Sequence, residues 1–329
     1  MRIQPIDLDH PGDLIEGLYD AFVTGSDDDP GPMLSLPWFS YLVRTGGPGE
    51  RSEAWVTTEG GKVAGGYALT LPQHDNTHMG WLFPLVVRPE RRGRGLGSAL
   101  FAHALDRMRA HGRTLLLTET PAAGVAARFA TAHGMSVALK EARRTLDLRT
   151  ADWAALERMR PEAAGYHLER WVGPAGPELL PDLSALMGGM NDAPRDADIE
   201  DMNFSVDRLR IREEAILITG RTCYTVIARR TSDGAPAGYT RILLDAERSD
   251  GWGHQADTTV LREHRGHRLG LLLKVDNLLW LREREPHLDR IITWNATSNA
   301  HMLAINEAMG FELFDEWSEM RLEVQAPQA

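Results

Sequence analysis

Two stretches decide the fold: VVRPERRGRGLGSALFAHALDRM at 86–108 and TVLREHRGHRLGLLLKVDNLLWL at 259–281. Val87 matches Val260, Arg92 matches Arg265 and Gly97 matches Gly270, all at an offset of 173 residues (260 − 87). Downstream, AHGM at 132–135 resembles AMGF at 308–311, at an offset of 176. Solenoid repeats are about 20–50 residues long. A period this much longer reads as one α/β domain occurring twice.

The flanking sequence repeats the same order of elements. In the first copy RIQPID (2–7) reads as a strand and 13–23 as a helix. Residues 53–58 and 62–71 read as strands around the turn Glu59-Gly60-Gly61, and 78–87 as a longer strand. A helix follows from Ser98 to His111, with Leu100, Ala104, Leu105 and Met108 at helical spacing. Then come a buried strand at 114–119, a helix at 122–133 and a strand at 136–148. The second copy gives strands at 166–171, 223–228, 237–244, 254–260, 290–295 and 312–324. Its helices fall at 178–190, 205–219, 269–284 and 299–309. These patterns set one domain at 1–150, a linker at 151–164 with a short helical run, and a second domain at 165–329.

Composition narrows the function. The 329 residues are 43% hydrophobic and 25% charged, ordinary globular values. Each half is long enough to bury its own core. A formal net charge of −11 argues against a duplex-binding face and favours a cationic, amine-bearing partner. The single cysteine, Cys223, excludes an internal disulfide and a zinc site built on CxxC pairs, so no metal is expected. The N-terminus carries Asp7, Asp9 and Asp13 where a signal peptide needs an apolar core. No uncharged apolar run reaches the ~18 residues of a membrane span. The expectation is a cytoplasmic protein with no nucleic-acid or membrane partner; monomer and homodimer both stay open.

Each Gly-rich turn sits between a strand and a helix. Amides at a helix N-terminus carry partial positive charge and bind anions, and glycine lets the backbone approach a pyrophosphate. In copy one, Arg92-Gly93-Arg94-Gly95-Leu96-Gly97 satisfies R-x-x-G-x-G, with Arg91, Arg92 and Arg94 adding charge. A Rossmann site needs GxGxxG after the first strand, and a Walker loop needs GK[ST]; neither occurs here.

The stretch V-x-P-E-x-R-G-R-G-L-G-S-A-L resembles the acyl-CoA pyrophosphate loop of the GNAT superfamily of N-acetyltransferases. LREHRGHRLGLLLK, with TWNATSNAHMLAINEAMGF at 293–311, resembles the same family in copy two. The resemblance implies an α/β (α+β) protein of two tandem GNAT-like domains, each a mixed, mostly antiparallel sheet flanked by helices. It implies acetyl-CoA or another acyl-CoA as co-substrate. The implied contacts are Val86, Val87, Arg92, Gly93, Arg94, Gly95, Leu96, Gly97 and Ser98 in copy one. In copy two they are Thr259, Val260, Arg265, Gly266, His267, Arg268, Leu269 and Gly270. Lys274, one turn further, is a candidate for phosphate, and Asn295, Asn299 and Asn306 are candidates to line the CoA cleft; Asn299 is also placed to cap its helix.

Two departures stand out. Arg268 replaces the first glycine of the pattern. The family's C-terminal Y-x-x-x-G-F has Ala130 and Asn306 at its tyrosine position, and neither side chain is an acid. An alkyl thiol of pKa about 8.5 can still leave without an enzyme acid.

Acyl transfer needs an amine held against the thioester and, commonly, a base. Copy one has no carboxylate in the strand before its loop. Copy two has Asp257, three residues before Val260, and His254, six before. On a regular strand these two face opposite sides. Asp257 is the first candidate for a base or amine-orienting group and His254 the second. The alternative for Asp257 is an acid paired with an arginine. The acidic stretch Asp192–Asp201 is a candidate to meet the acceptor, with Asp27, Asp28 and Asp29 in the corresponding region of copy one. The expected activity is direct N-acyl transfer to a small-molecule or peptide amine, with copy two catalytic. A non-catalytic acyl-CoA sensor, and an enzyme of natural-product biosynthesis that takes its acyl group from a carrier protein, stay open.

Overall fold

The computed structural model describes residues 2–26, 29–246 and 250–325. Asp27 and Asp28 lie outside the described residues. The chain divides into two compact units. Unit 1 holds the described chain up to Leu139, Asp198–Glu200, and the chain from Ser318 onward; unit 2 holds Lys140–Ala197 and Asp201–Trp317.

In unit 1, β1 (Gln4–Pro5), β2 (Arg51–Glu59), β3 (Lys62–Leu71) and β4 (Met79–Val87) pair antiparallel in that order, and β5 (Leu115–Pro121) joins β4 in parallel. The β2–β3 hairpin turns on Gly60 and Gly61, both with positive φ (58° and 81°), as a two-residue turn with the right twist demands. Helices α1 (Leu14–Gly25) and α2 (Leu36–Thr45) cover one face, burying Leu18, Phe39, Val56, Ala68 and Val86. Helices α3 (Leu96–Ala110) and α4 (Val125–Ala132) cover the other, over Tyr67, Leu100, Met108 and Leu116. Helix α2 has no counterpart in the sequence reading. Its ends are nevertheless written locally: Ser35 accepts from the Trp38 amide, and Gly46 closes the helix at φ 71°.

Unit 2 repeats this plan. β7 (Tyr166–Val172), β8 (Thr222–Arg230), β9 (Pro236–Leu244) and β10 (Trp252–Val260) run antiparallel, and β11 (Arg290–Ala296) joins β10 in parallel. Helices α6 (Leu180–Gly188) and α7 (Val206–Ile218) cover one face; α8 (Leu269–Arg284) covers the other, and α9 (Ala300–Ala308) follows β11. The strand beside β11 is part of β6 (Ser136–Asp147), antiparallel from Arg290↔Asp147 to Ala296↔Glu141. The last strand, β12 (Glu312–Glu323), begins in unit 2 and ends in unit 1, where Met320 and Val324 enter the core beneath α3.

The expected boundaries at 150 and 165 therefore differ from the observed units. β6 supplies a ladder and Leu146 to unit 2. The expected linker folds as α5 (Trp153–Met159), whose Leu156 is buried with α8 residues. Strand-end residues follow the partner that satisfies their backbone groups, which a linear reading cannot see.

Lys274 also departs from expectation. It is buried in α8, 1% exposed, with its Nζ 5.4 Å from the Phe311 ring centre and no hydrogen-bond or ion-pair partner among the described residues. It is a core residue and does not reach a phosphate. Burial lowers its pKa to about 7 from the ordinary 10.5.

Two measurements follow. Leu156→Ala is expected to lower stability by about 2–4 kcal/mol in urea titrations, as for a core leucine; a loss under ~0.5 kcal/mol would make α5 a tether. Lys274→Met is expected to stabilise the protein at neutral pH. The unfolded chain binds the lysine proton up to about pH 10.5 and the folded chain only to about pH 7. Wild-type stability should thus rise through that window and close the gap to the variant. Parallel denaturation curves at pH 7 and 9.5 that keep a constant gap would refute it.

Candidate active site

In each unit the parallel strands part before they end. β4 and β5 pair only from Met79↔Leu115 to Trp81↔Leu117, and β10 and β11 only from Trp252↔Arg290 to Gln255↔Thr293. A threonine hydroxyl marks the parting in both. Thr118 Oγ1 donates to Leu82 O at 2.7 Å, and Thr293 Oγ1 to Gln255 O at 3.4 Å. Past it, one side of each opening is β4 with Val86 and Val87, or β10 with Thr259 and Val260.

A bulge sits in the wall of each opening. In unit 1, Phe83 and Pro84 together oppose Ala68; in unit 2, Ala256 and Asp257 together oppose Arg241. A bulge leaves one residue outside the ladder and changes which face later side chains take. His254 pairs with Leu243, which lies two residues from Arg241 and so shares its face. Arg241 binds Glu213 of α7, and Asp257 binds Arg212 of α7. His254 and Asp257 therefore share the α6–α7 face. The expectation that they face opposite sides holds only for a regular strand.

The two Gly-rich loops have one shape. A 3-10 turn (Pro89–Arg91, Arg262–His264) precedes each loop, and Gly93 (φ 74°) matches Gly266 (φ 86°). Gly95 caps α3 in the left-handed conformation at φ 79°; Arg268 caps α8 in the same conformation at φ 57°. Arg268 thus keeps the loop geometry, at a cost of about 1–2 kcal/mol for a residue with a Cβ. Leu96 and Leu269 are buried and anchor the helices, while residues 92–95 and 265–268 are exposed.

The first arginine of each motif is turned inward. Arg92 donates Nε to Val87 O at 3.1 Å and Nη2 to Gly25 O; Arg265 donates Nε to Val260 O at 3.1 Å and Nη2 to Asp192. These arginines brace the loop, and Arg91 pairs with Glu59. Among the charged residues expected in the copy-one loop, Arg94 alone keeps its guanidinium exposed without a partner among the described residues. Ser98 bonds His133 Nε2, and His267 packs against the Tyr166 ring at 5.3 Å.

The faces above the bulges differ in chemistry. In unit 1 the face is apolar: Ala68, Val86 and Phe39 are buried, and Phe22 packs 5.7 Å from Phe83 and 5.1 Å from Phe39. In unit 2 the same register positions carry polar groups. Asp257 Oδ2 accepts from Arg212 Nη2 at 2.5 Å, with side chains 17% and 30% exposed. Burial works against the Arg212 charge, yet the Asp257 carboxylate raises its pKa. Tyr239 is fully buried; its hydroxyl contacts Met187 Sδ, and burial together with Asp257 pushes its pKa well up. Burial lowers the His254 pKa to about 4, so the imidazole is neutral at pH 7. Burial pushes the Cys223 thiol up, which does not suit a nucleophile.

The remaining candidates separate. Asn299 caps α9 by accepting from the Met302 amide. Asn306 is fully buried and donates to Asn295 Oδ1 at 2.7 Å, so it stands inside the unit; Ala130, its counterpart, is also buried. Gly97 and Gly270 lie over Phe129 and Ile305. The acidic stretch is occupied: Asp192 holds Arg262 and Arg265, Arg195 holds Asp201, Arg321 holds Asp198, and Glu200 accepts from the Asn76 amide. Neighbouring guanidinium groups hold Asp192 at a pKa of about 2. Among the described residues no three His, Cys, Asp or Glu side chains group to hold a metal ion, and no helix is long and apolar enough to cross a membrane. The sequence reading missed Arg212, Glu213, Tyr239 and Arg241. Its one available signal was a charged residue inside the otherwise apolar run AGYTRILL.

Residues 18–135 match the family model of the acetyltransferase (GNAT) family. A tandem GNAT protein from the clavulanic acid biosynthesis pathway shares 29% identity, covers 99% of each chain and superposes with a TM-score of 0.82. A GCN5-related N-acetyltransferase from Sphaerobacter thermophilus is 15% identical, with 98% of this chain and 96% of that chain covered and a TM-score of 0.68. A glucosamine N-acetyltransferase region of a fungal multi-domain β-N-acetylglucosaminidase gives 14% identity, a TM-score of 0.67, and coverage of 98% of this chain and 38% of that one. The curated protein sequences gave no match. The matched first repeat, the parted strands and Gly-rich loop found in both units, and the full-length likeness agree: residues 18–135 form a domain of the acetyltransferase (GNAT) family, and the whole chain is similar to a tandem GNAT protein.

Proposed function

We propose that unit 2 moves an acyl group, acetyl in the simplest case, from CoA to a primary amine of a small molecule or peptide. The carrying observation is Asp257, a partly exposed carboxylate in the bulge beside the parted strands, on a face that is apolar in unit 1. The α8 N-terminus and its exposed loop offer amides to a pyrophosphate. The thioester would lie in the opening between β10 and β11. Asp257 would orient the incoming amine and draw off its proton. The amine nitrogen bonds to the thioester carbon, the carbon–sulfur bond breaks, and the CoA sulfur leaves as thiolate or takes a proton from water. No enzyme acid is assigned, because Asn306 is buried and does not ionise. A bulge amide outside the ladder is a candidate donor to the developing oxyanion. Unit 1 would bind acyl-CoA through its more regular loop and contribute to the fold. A lone reduced cysteine and the CoA co-substrate support a cytoplasmic setting.

Asp257→Asn is expected to lower kcat by about 10²–10⁴-fold while calorimetry gives unchanged acetyl-CoA affinity; wild-type turnover would remove Asp257 from the chemistry. Gly270→Glu places a carboxylate at the loop, where a Cβ meets Ile305 at an ordinary 3.5 Å. It should abolish CoA release, and Gly97→Glu should not. The reverse pattern would move the reaction to unit 1.

A further inference from the structure

Arg241 has no part in the acyl-transfer steps above, yet it sits opposite the bulge that holds Asp257. Its side chain is 3% exposed, and Nη1 donates to Glu213 Oε1 at 2.7 Å. Its Nε and Nη2 are buried and have no hydrogen-bond partner among the described residues. Those two nitrogens form one edge of the guanidinium, with parallel N–H groups spaced to grip a single carboxylate. The fold does not require this arginine: Ala68 holds the same register position in unit 1, beneath the same pair of helices. An unmet buried fork opposes folding, so its presence in unit 2 alone points to a ligand. The local charges fit a zwitterion. Asp257, its side chain 17% exposed beside Arg212, is placed for an ammonium group, and the Arg241 edge on the neighbouring strand for a carboxylate. Tyr239, two residues before Arg241 on the same strand, has its ring centre 5.9 Å from the Arg241 guanidinium.

We propose that the acceptor of unit 2 carries a carboxylate close to its amine, gripped side-on by Arg241, so that the substrate has an amino-acid headgroup. This rests on unit 2 being the acyl-transfer site. Zwitterionic α-amino acids and compounds with a free amino-acid end are then acceptors, and simple amines are poor ones.

The test uses the full chain, acetyl-CoA, and the twenty common L-α-amino acids, each paired with its methyl ester. Wild type is expected to favour the acid over its ester by at least ~10-fold in kcat/KM, the scale of a lost charged hydrogen bond. Arg241→Lys keeps a cation for Glu213 but lacks the fork, and should bring that ratio toward one. Esters used as well as acids, or a variant that lowers both alike, would overturn the proposal. Should no amine be acylated at all, the transfer reading fails separately. Calorimetry then decides: an amino acid that binds wild type and binds Arg241→Lys at least tenfold more weakly supports the fork, and equal or absent binding across the panel overturns it. A paired Arg241→Met, Glu213→Gln variant, which leaves neither charge of that pair unmatched, repeats the comparison should the lysine variant fold poorly.

Discussion

The bulge in β10 is the constraint on which the candidate site depends. A strand offers side chains to one face only at alternate positions. The extra residue at Ala256–Asp257 breaks that alternation, and His254, Asp257 and Thr259 come to the α6–α7 face together. The same irregularity frees an amide from the ladder where β11 has already turned away. Without the bulge, either Asp257 or His254 would point into the apolar core beneath α8. The close approach of Gly189 to Thr259 depends on the same local course: a Cβ on Gly189 would lie 2.7 Å from Thr259 Oγ1.

One frame therefore carries two fillings. Unit 1 packs Ala68, Val86, Phe22, Phe39 and Phe83 over its bulge, an arrangement that gains from burial and needs no partners. Unit 2 places two arginines, two carboxylates and a buried tyrosine at the matching positions. Buried ion pairs seldom stabilise more than apolar residues of the same volume. Their occurrence on one repeat and not the other therefore separates the requirements of the fold from those of the site.

The loops divide in the opposite sense. Both copies use their first arginine as a brace against the preceding strand, with Nε at 3.1 Å from the carbonyl of Val87 or Val260. In unit 2 the brace also holds Asp192, which lies across Arg262 and Arg265. In unit 1 Arg92 binds the carbonyl of Gly25. The glycines contribute a left-handed turn that Arg268 also adopts, so backbone shape is conserved across the repeat while the charge around it is not.

Much of this was legible in the sequence. The repeat offset, the Gly-rich turns and the alternation of apolar residues determined the order of strands and helices, because those signals are local and periodic. They also marked the loops and the Asp257 position. Other features answer to partners far along the chain. β6 pairs with β11 because backbone groups must find a ladder, and α5 packs because Leu156 finds the α8 core. Lys274 is buried because α8 turns it toward Phe311, although a lysine at that spacing reads as a surface group. The acidic stretch is held by its own Arg195 and by Arg262, Arg265 and Arg321, which lie far along the chain and which its own composition does not reveal. Arg212, Tyr239 and Arg241 become one site only when α7, β9 and β10 meet. The sequence by itself determined two copies of one fold, the chemistry its loops can hold and the copy that carries Asp257; tertiary structure alone decided that Asp257, His254, Arg212 and Arg241 share one face, because a one-residue bulge and the packing of α7 set where those side chains point.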